Sequence, residues 1–161
     1  MGYQTDFKGQ FDLDRPLEPR DAAYLDAFAQ SRRMVRDAEM TILLRDQVRA
    51  MVRLPVGEEG AYYVAGTDAR KTKDILDINT PPKGQPGLWC QWVPTIDLRG
   101  IEWDGNEKFY NYTSWLIYVI EHFLKPWSYT LNGEVTWEGE EQADVGTIYV
   151  RNNLVSEVSG F

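Results

Sequence analysis

Residues 3–13 alternate strictly between apolar and polar. Tyr3, Thr5, Phe7, Phe11 and Leu13, with Gly9 among them, fall on one face, and Gln4, Asp6, Lys8, Gln10 and Asp12 on the other. Period two over this length predicts a half-buried strand, which Arg15, Pro16, Leu17 and Pro19 close. From Pro19 to Arg36 the spacing becomes helical. Pro19 suits a first turn, Asp21 faces the positive end of the helix dipole, and Arg32, Arg33 and Arg36 face the negative end. Leu25 and Phe28, with Tyr24 beside them, supply the buried stripe. A second helix is predicted from Met40 to Val52, with Met40, Leu43, Leu44, Val48, Met51 and Val52 on its apolar side, and Pro55 and Gly57 stop it.

Tyr62–Val64 reads as a short strand. Residues 66–87 read as a long irregular loop with a short element at Ile75–Ile78, and connections of this length are often functional or mobile. Leu88–Val93 and Ile101–Trp103 predict a hairpin. Trp89 and Trp92, three apart, then point to opposite faces of its sheet. The strongest helix runs from Tyr112 to Leu124, where Tyr112, Trp115, Leu116, Val119, Ile120, Phe123 and Leu124 recur at helical spacing before Pro126. Tyr129–Glu138 alternates again, and Asn152-Asn153 joins a last hairpin of Thr147–Arg151 and Leu154–Val158. One echo links the two ends: Phe7-Lys8-Gly9-Gln10-Phe11 and Leu131-Asn132-Gly133-Glu134-Val135 each hold a mid-strand glycine, the mark of a bulge or a close backbone approach. The expectation is one α+β domain over 1–161, an antiparallel sheet of five to seven strands with two or three helices packed on one face.

A chain of 161 residues can bury a real core. Its aromatic content of 13%, with six Trp and nine Tyr, serves either that core or a recognition surface. The lone cysteine, Cys90, excludes an intrachain disulfide and fits a reducing compartment. The first residues lack a signal-peptide pattern, and Asp6 stands where myristoylation wants Ser or Thr. No apolar run approaches a membrane span, so the expected location is cytoplasmic. A net charge of −8 does not supply the positive groove that tracks a nucleic-acid backbone, so no direct nucleic-acid partner is expected. It serves solubility, or else imitates nucleic acid before a basic partner.

Thiol catalysis would need Cys90 and the sole histidine, His122. Cys90 falls mid-strand, and His122 on a polar stripe with Ser114, Tyr118 and Lys125, so a buried thiol and an exposed imidazole is the better reading. Two acidic groups, Glu102–Asp104–Glu107 and Glu138–Glu140–Glu141–Asp144, lack calcium-loop spacing, so no metal is assigned. Arg32, Arg33 and Arg36 form the one basic concentration and a candidate anion site, though the helix dipole explains them without a ligand. P-loop, GxGxxG, HExxH and CxxC patterns are absent, and no cofactor is implied. The candidate interaction surface is Trp89, Trp92, Trp103, Asp104 and Glu107 beside the 66–87 loop.

The segments Gln85–Trp92, Glu102-Trp103-Asp104-Gly105, Glu107–Tyr110, Trp115-Leu116 through His122–Leu124 and Leu131–Val135, with Arg32-Arg33-Met34, resemble an uncharacterised family from actinobacteria and their phages. The resemblance implies a bacterial or phage setting and carries over no catalytic residue. The expected function is a non-enzymatic protein-binding module that modulates or inhibits a host protein. The alternatives are a small enzyme or sensor binding a nucleotide-like or phosphorylated ligand, with Arg32 and Arg33 holding it, and an acidic nucleic-acid mimic. Oligomeric state is not set by the sequence.

Overall fold

A computed structural model describes residues 2–64 and 72–160. Its strands and helices follow in the order β1 (Thr5–Lys8), β2 (Phe11–Leu13), α1 (Pro19–Gln30), β3 (Val35–Arg36), α2 (Ala38–Thr41), α3 (Gln47–Met51), β4 (Ile75–Asp77), β5 (Trp92–Pro94), β6 (Gly100–Trp103), α4 (Tyr112–Val119), β7 (Leu131–Gly139), β8 (Val145–Arg151) and β9 (Leu154–Ser159). The chain divides into two compact units. One joins Met1–Leu17 to Gln91–Phe161, and the other is Glu18–Cys90. The division follows from the N-terminal strand, which pairs with strands from the C-terminal half.

In the first unit the predicted strand 3–13 forms as β1 and β2. Both lie against β7 in one register, Thr5 opposite Gly139 and Leu13 opposite Leu131, with the ladder interrupted at Gly9 and Gln10. The sheet is antiparallel and ordered β5-β6-β2-β7-β8-β9, with β1 also on β7. Alternation sends Phe7, Phe11, Trp92, Ile101, Leu131, Val135, Trp137, Ile148 and Val150 to one buried face. Each such aliphatic or phenyl side chain, fully buried, stabilises by about 1.5–3 kcal/mol. The predicted helix from Tyr112 covers this face. It is α-helical to Val119 and closes with a π turn over Ile120–Leu124. Trp115, Leu116, Val119, Ile120, Phe123 and Leu124 are buried. Tyr112 meets Phe7 and Trp137 edge-on or tilted, and its carbonyl accepts the Trp92 indole N–H at 2.8 Å.

The second unit departs most from the periodicity. The first helix ends at Gln30, because Ser31 turns extended and its hydroxyl donates to Ala27 O and Val64 O. The next residues run as an extended segment instead: Arg33 N donates to Leu88 O and Val35 N to Thr80 O, and β3 pairs with β4. The predicted Met40–Val52 helix is two short helices. Asp37 caps α2, and Asp46, which is buried, caps α3 and accepts the Val64 N–H at 3.0 Å. Pulling Asp46 inward breaks the helical stripe, and Met40, Leu43 and Met51 become exposed. In place of a strand at Tyr62–Val64, Ala61 and Tyr62 turn after a single 3-10 turn at Glu58–Gly60, and Tyr63 and Val64 follow as irregular backbone. Part of the predicted 66–87 loop lies outside the described residues, and its short element forms as β4.

Candidate functional site

Strand alternation in the first unit leaves a second sheet face without a helix. Across it run the rows Asp6–Glu138–Val145, Lys8–Thr136–Thr147–Val158 and Glu134–Tyr149–Ser156, each step a directly opposed pair. Asp12, Asn132, Arg151 and Leu154 extend it. Its strands twist into a hollow of about 320 Å³ lined by Lys8, Thr136, Thr147, Tyr149, Val158 and Gly160 among others. A neighbouring hollow holds Asn132, Glu134, Tyr149, Arg151 and Ser156. Tyr149 borders both and is 41% exposed.

Trp137 underlies the first hollow. A β-carbon on Gly146, its cross-strand partner, would overlap the indole, so only glycine lets the ring pass there. The Trp137 N–H leans towards Asp144 Oδ1 at 3.5 Å, while Asp144 Oδ2 accepts the Tyr3 hydroxyl at 2.6 Å. Beneath, burial pushes the Tyr112 phenol up to about 12, and the carboxylates of Glu157 and Asp144 add to it. Tyr112 therefore keeps its proton at neutral pH and serves packing.

The charge is unevenly divided. The first unit carries fourteen acids and six bases, and the second eleven of each, so the whole net charge of −8 resides in the first. On the open face Asp6 stands directly opposite Glu138. Like charges in opposed positions weaken a sheet, and a cationic group laid against them removes the cost.

The residues singled out from the sequence do not gather into one site. Trp92 is 2% exposed and belongs to the core, because its indole inserts among Phe7, Phe11 and Phe109; its expected place on a surface is corrected. Trp103 is partly buried against Phe7, its N–H shared between Gln91 Oε1 and Asn106 O at 3.1 Å. Asp104 takes both Asn106 nitrogens, closing a turn, and the Glu107 carbonyl accepts from Gln91 Nε2. Trp89 belongs to the other unit and is 41% exposed.

Arg33 and Arg36 are buried. Arg33 donates to Tyr63 O, Ala61 O and Gln85 Oε1 and lies over the Phe28 ring. Arg36 pairs with Asp74 at 2.8 Å and covers the Tyr63 ring. Arg32 is more exposed and donates to Ile78 O and Asn79 Oδ1. The trio therefore staples the second unit rather than converging on one point. Burial works to raise the Asp74 carboxyl, but hydrogen bonds from Thr41, Thr72 and Arg36 outweigh it and hold the group below its ordinary value.

Cys90 is buried. His122 is half-buried and stacked on Tyr118 at 3.9 Å, and Tyr118 itself is buried rather than solvent-facing as its stripe suggested. Among the described residues no three or more His, Cys, Asp or Glu side chains gather where they could hold a metal, and no helix is long and apolar enough to cross a membrane. The open face was written in the outward positions of the alternating strands, but nothing local distinguishes those positions from an ordinary solvated face. Neither a protein-family model, nor a curated protein, nor a solved structure matches the chain.

Proposed function

We propose that the chain is a non-enzymatic protein-binding module, whose contact surface is the open face around Tyr149 and whose partner presents a basic surface. The observation that carries this reading is the placing of all the net charge in the unit that bears the open face, with Asp6 held opposite Glu138 on it. Such a field steers a basic partner and sets its orientation. Tyr149, with few rotatable bonds and an exposed ring, is the kind of anchor that carries binding energy. The family resemblance makes a bacterial host protein the partner to look for.

The same charge supports a second reading, in which the partner is a nucleic-acid-binding protein and the acids imitate phosphates. The phosphorylated-ligand reading draws less support, since the donors of Arg33 and Arg36 are engaged inside the second unit.

The test is capture of bacterial proteins on the immobilised full chain, compared with Tyr149→Ala and with Glu134→Lys/Glu138→Lys. A specific protein retained by the native chain, released by raised salt and lost in both variants supports the reading; displacement of that protein by duplex DNA selects the mimic. Retention equal in all three chains overturns it.

A further inference from the structure

The two edges of the sheet are built differently. The β5 edge has three residues and ends in Pro94, which cannot donate to a further strand. The β9 edge has six residues, Leu154–Ser159, in unbroken register with β8 and without proline or lysine. Native sheets usually blunt a long edge with proline, lysine or a bulge, because its unpaired backbone is a template for another strand. Here none of these devices is present. The single charge on β9, Glu157, is drawn back by a hydrogen bond from the Thr113 hydroxyl at the start of α4.

Backbone alternation says which groups face outward. Gly160 N donates to Val145 O, so the even-numbered residues of this segment turn their amides and carbonyls to β8. Those of Val155, Glu157 and Ser159 consequently turn away from the sheet. The side chains of Leu154 and Val158, 74% and 53% exposed, stand on the open face with Ser156 between them.

We propose that β9 pairs antiparallel with β9 of a second copy of this chain, continuing the sheet through a two-fold axis. The strand is self-complementary in one register. Leu154 falls opposite Val158 of the second copy, Ser156 opposite its own counterpart, and Val155 opposite the second Glu157. Of the two neighbouring registers, one sets the two Glu157 residues opposite each other, which like charges oppose, and the other centres on Val155 and exchanges the Leu154–Val158 pairs for Leu154–Ser156. The occupant is thus chosen by the two Leu154–Val158 pairs and by keeping the two Glu157 carboxylates apart. A seam of one strand pair belongs to the small, weak class of interfaces, so the dimer is concentration-dependent. It joins two open faces into one surface, with the Tyr149 rings flanking the Ser156 pair. This inference goes beyond the partner proposal and needs no partner for its test.

Sedimentation velocity of the purified full chain, from about 1 μM to about 1 mM, reads it. The native chain shifts from monomer to dimer across that range. Leu154→Lys/Val158→Lys sets lysines opposite lysines and weakens the dimer at least tenfold, whereas Leu154→Lys/Val158→Glu restores it in a salt-sensitive form. Both positions are exposed, and amide exchange in the native chain gives a variant-free check, with Val155 and Glu157 slowing as concentration rises. A chain monomeric throughout, or a dimer indifferent to the lysine pair, overturns the proposal. Loss of captured partner in Tyr149→Ala without change in dimerisation tests the other reading separately.

Discussion

Phe11 lies directly opposite Gly133 across the β2–β7 ladder, and a β-carbon on Gly133 would stand 3.3 Å from the Phe11 Cα. Gly133 also holds φ at +130°, a conformation that side chains rarely adopt. The relation is reciprocal: a β-carbon on Gly9, at φ +102°, would stand 3.2 Å from Glu134 O and 3.8 Å from Val135 Cα. Each mid-strand glycine lets the other strand approach.

Gly133→Ala therefore destabilises the first unit by about 1–3 kcal/mol, the cost of holding an alanine in such a conformation. Urea denaturation followed by circular dichroism checks it. Glycine replaced without loss would contradict the close approach.

The Asn152-Asn153 turn, with φ values of +49° and +69°, sets two preferences against each other. Its geometry alone favours glycine at the second position. But Asn153 Oδ1 accepts from Leu131 N at 2.7 Å and Nδ2 donates to Tyr129 O at 3.0 Å. Two hydrogen bonds at about 0.5–1.5 kcal/mol each outweigh the small backbone gain, so Asn153→Gly lowers stability by about 1–2 kcal/mol. A rise in the denaturation midpoint would reverse that ranking.

Asp74 anchors the second unit through Arg36 and the Thr41 hydroxyl at 2.8 and 2.6 Å. Asp74→Asn leaves the Arg36 guanidinium buried without its anion and costs about 3–5 kcal/mol. Because the folded carboxyl sits below its ordinary value, its contribution is present above that value and is lost as pH falls through the folded one. Acid titration of the native chain should show that loss, and Asp74→Asn should flatten it.

His122 titrates with the same sign. Burial lowers its pKa, against a weaker opposing pull from Glu121. Folding favours the neutral ring, so its contribution is present above the ordinary histidine value and falls as pH drops below it towards the folded one, the unfolded chain taking up the proton first. The slope of stability just below the ordinary histidine value should shrink in His122→Gln.

What the sequence made legible follows from local physics. Period two gave β1, β2 and β7, and the helical stripe gave the segment from Tyr112, because burial there is one-sided; the Asn152-Asn153 turn signal gave β8 and β9. The glycine echo marked two strands whose pairing could be seen only in space. The second unit was misread where buried polar groups override periodicity. Arg33 and Arg36 leave a helix end to fill a core, and Asp46 turns inward to hold the Val64 amide, interrupting an apolar stripe that looked continuous. Trp92 and Trp103 carry the same letter and face each other across β5 and β6, but one is buried among phenylalanines and the other, at the end of β6, is only partly covered by Phe7. On the open face, alternation marks Asp6, Lys8 and Asp12 as outward, but it gives no side for Tyr149, and the charge division between the units follows from the pairing of β1 and β2 with the C-terminal strands.

The most direct test of the binding face is a titration of ¹⁵N-labelled protein with a deca-arginine peptide, followed by amide shifts. Saturable, salt-sensitive shifts are expected, concentrated at Asp6, Lys8, Glu134, Thr136, Glu138 and Tyr149 and lost in Glu134→Lys/Glu138→Lys. Shifts spread evenly over both units, or confined to Glu18–Cys90, would contradict it.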